Sequence, residues 1–188
     1  MLNNISILGI DNSTTGIGVS VLSFNTDQNK LYIDATVIMK KNSKESFNRE
    51  SHPFELYNSI KEYIKDTSFV DPVYKDKQLL IENFFIAGGI NNPGALPIMY
   101  GFLLAKFHSD FNIIAKQVEA QSWKRKLIGM RTKGKEYVEE YVLRYIDNHN
   151  IAVNILHQEK TDAWDAIGIS MFPILGTEIL PQINPPLI

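Results

Sequence analysis

The chain has 188 residues, 44 % of them hydrophobic and 21 % charged, a composition that supports one buried core in one compact domain. It contains no cysteine, which excludes disulfides and cysteine-ligated zinc. The net charge is −2, the opening residues lack a basic region followed by an apolar run, and no uncharged apolar stretch reaches about 18 residues, so a soluble cytoplasmic protein with no membrane partner is expected.

Residues 5–11 (ISILGID) read as a buried strand ending in an acid. Residues 16–24 (GIGVSVLSF) read as a second strand, with Asn12 to Thr15 as the turn. Residues 31–39 are a third candidate, and the short connections imply an antiparallel opening. A polar stretch at 41–52 reads as a loop. Tyr57, Ile60 and Ile64 share one face of a helix over about 53–66, and Asp71-Pro72 breaks it. Gln78 to Glu82 is a fourth buried strand, again ending in an acid. Gly88-Gly89 and Asn91 to Gly94 form a loop. Residues 95–108 are apolar nearly all round, the mark of a helix buried in the core or at a subunit interface. Residues 113–118 form a fifth strand. Val138, Tyr141, Val142 and Tyr145 mark a helix over about 134–148, and a last helix starts near Thr161, an N-cap, and runs to about Phe172. The order β-β-β-α-β-α-β-α-α gives an α/β fold, a mixed five-stranded sheet flanked by helices. Its domain spans 1–173, and the proline-rich residues 174–188 form a C-terminal extension.

Four acids stand out on this frame. Asp11 and Glu82 each end a strand, and strand ends of an open α/β sheet are where sites form. Asp162 and Asp165 lie three apart at the start of the last helix, which puts both on one helical face where the helix dipole favours acids. Singly, an Asp after a strand is ordinarily a turn residue, and Asp162 would be a helix cap. Jointly, two strand-terminal acids followed by an Asp-x-x-Asp helix start are hard to produce by packing needs alone. Four oxygen ligands from three separated segments suit hard cations such as Mg²⁺. Two ions roughly 4 Å apart would activate water and stabilise the leaving 3′ oxygen of a phosphodiester.

The basic charge is concentrated. Between Gln121 and Lys135 there are Lys124, Arg125, Lys126, Arg131, Lys133 and Lys135 and no acid. An isolated run of this kind is ordinarily a solvated loop; its place after a strand next to the acids points to phosphate contact. Phe84 and Phe85 follow Glu82, and strand alternation turns one of them away from the core. His52, His108, His149 and His157 are scattered without ligand spacing.

Gly9-Ile10-Asp11-Asn12-Ser13-Thr14-Thr15-Gly16-Ile17-Gly18-Val19 resembles the first motif of the RuvC family of Holliday junction resolvases, members of the RNase H-like superfamily. Ile81-Glu82-Asn83-Phe84-Phe85 resembles the second, and Asp162-Ala163-Trp164-Asp165-Ala166 the last, with Asp165 a carboxylate where some relatives carry His. The similarity runs with gaps from about residue 5 to 172. It implies an RNase H-like fold and a crossover junction endodeoxyribonuclease that uses two Mg²⁺ ions, Mn²⁺ being able to substitute. By that resemblance Asp11, Glu82, Asp162 and Asp165 are the catalytic metal ligands, and a metal-activated water attacks in line to leave a 5′ phosphate and a 3′ hydroxyl. Phe85, three residues beyond the Glu, matches an aromatic that enters the junction centre, with Phe84 beside it. Base stacking of this kind contributes about 1–3 kcal/mol per base. Lys124 matches a functional lysine near the scissile phosphate and Lys135 a second one, while Arg125, Lys126, Arg131 and Lys133 would grip the backbone.

The implied partner is four-way or branched DNA. Paired symmetric nicks need two sites, so a homodimer is expected, with Leu96, Ile98, Met99, Phe102 and Leu103 of the 95–108 helix as its interface. A phage-encoded member would act in the host cytoplasm. The chain departs from the family pattern in three places. Asn12 replaces a frequent Pro, the stretch from about Phe24 to Gln78 is longer with no matching motif, and the pI of about 6.1 is low for a DNA-binding protein. Three other readings compete. An actin-like kinase shares the opening but needs a second domain; a broader branched-DNA or RNA-processing nuclease shares the motifs; a catalytically silent nucleic-acid-binding member would have no reason to keep four acids together.

Overall fold

Every residue of β1 (Ile5–Asn12) is buried, so the strand has neighbours on both edges and helices on both faces. On one edge it pairs antiparallel with β2 (Gly16–Asn25), Ile5 opposite Phe24 and Asp11 opposite Gly18. A turn closed by Asn29, at φ 48°, returns the chain as β3 (Lys30–Met39), antiparallel to β2. On its other edge β1 pairs in parallel with β4 (Asp76–Glu82), Ile10 beside Ile81. The computed structural model describes residues 3–12, 16–39, 52–83, 95–129, 135–157 and 161–183. Two short parallel edges complete the sheet, β5 (Lys116–Val118) on β4 and β6 (Ala152–Ile155) on β3, in the order β5-β4-β1-β2-β3-β6.

The period of two divides the core between the faces of the sheet. Leu8 and Ile10 of β1, Ile17, Val19 and Val21 of β2, and Leu79 and Ile81 of β4 face α1 (His52–Ile64) and α2 (Ala95–Phe111). Ile5 and Ile7, Leu22 and Phe24, Leu31 and Ile33, and Leu80 face α3 (Ala120–Ile128), α4 (Lys135–His149) and α5 (Thr161–Met171). Helix α5 is buried along Ala163–Met171 and lies across the centre of the sheet. The residues beyond it continue the same core: Ile174, Leu175 and Leu180 are buried, and Leu175 and Leu180 form a bridge.

The α/β class expected from the sequence is the one that forms, with six strands in place of five and five helices in place of four among the described residues. Strand β6 has no apolar alternation to announce it, because it is a four-residue edge with Val153 and Asn154 exposed. Helix α3 carries three consecutive cations and is anchored by Trp123, Leu127 and Ile128. It stops at Gly129, which takes φ 80° and returns its N–H to the Arg125 carbonyl. Helix α2 uses part of its expected interface internally. Met99 and Leu103 are sealed in the α1/α2 core, and the Phe102 ring meets Phe54 and Tyr57 edge-on at 6.4 and 6.3 Å. Ile98 is half-buried, and the Leu96 side chain lies outside the described part.

Candidate active site

The alternation along β1 sends Asp11 to the face of Ile5 and Ile7, the face that α5 covers. Glu82 follows Ile81 as Asp11 follows Ile10, one residue beyond the last paired rung, and shares the face of Leu80. Adjacent strands stand about 4.8 Å apart, so two acids end neighbouring parallel strands on one face.

Helix α5 brings the other two. Ser20 on β2 meets Ser170 by a buried Oγ–Oγ hydrogen bond of 3.1 Å, which holds the helix to the strand. The first turn comes closer still. A Cβ built on Gly18 would lie 1.9 Å from the Asp162 carbonyl oxygen, so only a glycine admits the helix here. Gly18 is the residue paired with Asp11. The close approach therefore sets the backbone of Asp162 beside the strand end that carries Asp11, with Asp165 three residues further along the helix. Asp11 and Asp165 are more than nine-tenths buried, whereas Glu82 and Asp162 are half-buried.

A second close approach places a cation. Gly168 of α5 faces the Trp123 ring at 2.5 Å from where a Cβ would stand, with Leu127 alongside, so α3 packs on α5. Lys124, next to Trp123, then reaches within 3.9 Å of the Asp165 carboxylate and lies over the Trp123 ring. The three consecutive cations of α3 point to different surroundings. Arg125 is exposed. Lys126 donates to the Phe172 carbonyl at 3.0 Å at the far end of α5, and burial pushes its pKa below the usual lysine value. Lys124 and Lys126 thus have partners on α5 and just beyond its end that the sequence alone does not reveal, and the basic run is not a uniform solvated stripe. Lys135 opens α4 with its side chain outside the described part; Phe84, Phe85, Arg131 and Lys133 also lie outside the described residues.

The sequence assigns no site role to Trp123 or Asn12, whose side chains carry buried polar groups. Among the described residues the Trp123 indole N–H has no hydrogen-bond partner, nor has either the Nδ2 or the Oδ1 of Asn12, next to Asp11. An unmet buried group costs about 1–3 kcal/mol. Gly18 was quoted in a motif, but its packing role needs the tertiary neighbour to be seen.

The donor set fits a hard divalent cation: four carboxylates, with no sulfur or imidazole among them. The buried carboxylate of Asp165 also needs positive charge nearby, of which Lys124 supplies a part. Among the described residues no three acidic or histidine side chains are arranged as a closed metal cage. The fit is therefore one of donor chemistry and shared face, and side-chain rotation has to complete it.

No protein-family model matches the chain, and no curated protein matches it. Solved structures do. RuvC from Thermus thermophilus superposes with a TM-score of 0.62 at 16 % identity, over 89 % of this chain and 92 % of that one. The T. thermophilus RuvC in complex with Holliday junction substrate gives 0.63 at 14 % identity, over 89 % and 91 %. The yeast mitochondrial Holliday junction resolvase Ydc2 gives 0.57 at 17 % identity, over 87 % and 75 %. At these identities the likeness is one of fold: the chain has the RNase H-like fold of the RuvC-type resolvases.

Proposed function

We propose that this protein is a divalent-metal-dependent endonuclease that resolves four-way DNA junctions by paired nicks. The observation that carries the reading is the convergence of three elements on one sheet face: the ends of β1 and β4 supply Asp11 and Glu82, and the first turns of α5 supply Asp162 and Asp165. The fold shared with structures described as Holliday junction resolvases supports a junction as the substrate.

Asp11, Glu82, Asp162 and Asp165 would hold Mg²⁺ or Mn²⁺, which supplies Lewis acidity at the phosphodiester and lowers the pKa of bound water. The chain's own residues do the positioning. Gly18 fixes the distance between the strand end and the helix, and the Ser20–Ser170 hydrogen bond ties the far end of the helix to β2. Lys124, held over Trp123, offers its ammonium to a phosphate oxygen as negative charge develops there. Arg125, exposed on α3, contacts the backbone of the DNA strand. Two symmetric nicks call for two copies. The outward residues Ile98, Gly101 and Ala105 of α2, which the protomer's core leaves uncovered or half-covered, supply the dimer contact.

The decisive experiment is nicking of a synthetic four-way junction, beside a matched duplex and a flap, with Mg²⁺ and with EDTA. Paired, Mg²⁺-dependent nicks on the junction are expected. Asp11→Asn should abolish them and leave junction binding intact. Undiminished cutting by Asp11→Asn would sink the assignment, and equal cutting of all branched substrates would broaden it to a structure-selective nuclease.

A further inference from the structure

Helix α3 is short and lightly built. Its nine residues are too few to hold a helix in water on their own. No side chain caps its start at Glu119, and its buried anchors are Trp123, Leu127 and Ile128. Yet it carries Lys124, the cation that reaches the Asp165 carboxylate. A helix this small needs ties from outside to keep Lys124 beside the acids.

Two such ties meet at Lys126, and both come from the segment that follows α5. The Lys126 Nζ donates to the Phe172 carbonyl at 3.0 Å and sits 5.2 Å over the Phe172 ring. The backbone carbonyl of Lys126 accepts from Gln182 Nε2 at 2.9 Å. Residues 172–183 thus meet α3 near both of their ends. Between those ends they are rooted in the core: Ile174, Leu175 and Leu180 are buried, and the Gly176 N–H donates to the Leu180 carbonyl at 2.8 Å. The Ile183 N–H reaches Tyr145 Oη on α4 at 3.4 Å. The segment is a strap laid from the end of α5 across α3 to α4.

Helix α3 touches α5 and its continuation at Asp165 through Lys124, at Gly168 through Trp123, and at Phe172 through Lys126. At about 1.5 Å per helical residue these points span roughly 10 Å. The Trp123–Gly168 contact lies between the other two and serves as a pivot. A tie on one side of a pivot restrains movement on the other.

We propose that Lys126 and Gln182 are positioning residues: by fastening α3 to the strap they hold the Lys124 ammonium beside Asp165, where it meets the scissile phosphate; this rests on the nuclease reading above. The Lys126 ammonium is directed at a main-chain carbonyl, and Gln182 has no charge to offer DNA. The two side chains share one target, the carboxyl-terminal turn of α3.

The test uses the full chain with Mg²⁺ and a synthetic four-way junction. Lys126→Met and Gln182→Ala are compared with the same changes made in Lys124→Met. Lys126→Met keeps an unbranched stem on the Phe172 ring and removes the donor. Single-turnover cutting should fall about tenfold with the junction Kd unchanged, since a displacement of about 1 Å costs up to about a hundredfold. Gln182→Ala should do the same to a smaller degree. In the Lys124→Met background neither change should lower the rate further, because the group that they position is gone. Hydrogen exchange of the α3 amides should quicken in both variants, with β1 and the first turn of α5 as in the wild type. A loss that adds in full to that of Lys124→Met overturns the proposal, as does an unchanged rate in both variants. So does a weaker junction Kd with a flatter salt dependence in Lys126→Met, which would make that lysine a phosphate contact. Those failures leave the nuclease reading standing. A wild type that cuts no branched DNA removes that reading; exchange of the α3 amides then decides the strap by itself, and unchanged exchange overturns it.

Discussion

On the face covered by α1 and α2, the sheet meets rings and aliphatic chains. Tyr57 stands edge-on to Phe107 at 5.4 Å, Phe107 stacks on Phe111 at 5.8 Å, and Leu103 is fully buried among them. The helices are also clamped at their rim, where Asp110 accepts from Tyr57 Oη and Lys61 Nζ at 2.8 Å each and from Lys106 Nζ at 3.1 Å. On the face covered by α5, side-chain volume has been removed at Gly9, Gly18 and Gly168, and the space is taken by the backbone of α5 and by the Trp123 ring. Both faces bury an apolar core, and the α5 face buries Trp123, Tyr145 and Trp164 in its own. What sets the α5 face apart is the closeness of approach that Gly18 and Gly168 allow beside the acids.

That contrast can be broken from either side. Gly18→Ala should have the largest effect, because the backbone oxygen of Asp162 has nowhere to go. Stability should fall by about 3 kcal/mol, the upper end for overpacking, and single-turnover cutting by on the order of a hundredfold as α5 shifts away from Asp11. Wild-type cutting by Gly18→Ala would show that the approach does not set the site. Leu103→Ala probes the other face, and urea unfolding should report a loss of about 2–5 kcal/mol. The same measurement on Asp11→Asn should show no loss, and a large one would mean that the acid is structural. Lys124→Met keeps the contact with Trp123 and removes the charge beside Asp165. Cutting should drop roughly a hundredfold, as for loss of one donor to developing charge, with the unfolding curve in place.

The smallest effect belongs to the Asp110 clamp. Hydrogen bonds from Lys61, Tyr57 and Lys106 hold its carboxyl well below the usual carboxylate range. Its ionised form therefore stabilises the fold above the ordinary Asp value, and that contribution disappears as pH falls through this range toward the depressed one. Asp110→Asn should lower the melting temperature by a few degrees at neutral pH, and the gap to the wild type should close on acidification. A gap that is constant with pH would assign the clamp to shape instead of charge.

The sequence made the acids legible because each sits at a boundary between elements, where a strand or a helix start is visible from alternation, spacing and turn residues. The central strands and α1, α4 and α5 were legible for the same reason. Helix α3 was not, because its anchors are few and its charges dominate the local pattern. Strand β6 was not, because an exposed edge of four residues has no buried period to show. An apolar helix such as α2 announces that it is buried without saying by what, so Met99 and Leu103 read equally well as core or interface until their neighbours are seen. The roles of Gly18 and Gly168 depend on partners far along the chain, which no local pattern encodes.

The hydrogen bond between Ser20 and Ser170 joins positions 150 residues apart, and the carboxylates beside it are spread over nearly the same span. Contacts of such range close late, after the local β1–β2–β3 meander, because the intervening loop has to lose its freedom first. During synthesis the strand bearing Asp11 is available early, Glu82 joins when β4 pairs with it, and the last two acids arrive only when α5 docks. Whatever the four acids do together, the growing chain is spared from doing it until α5 has been made.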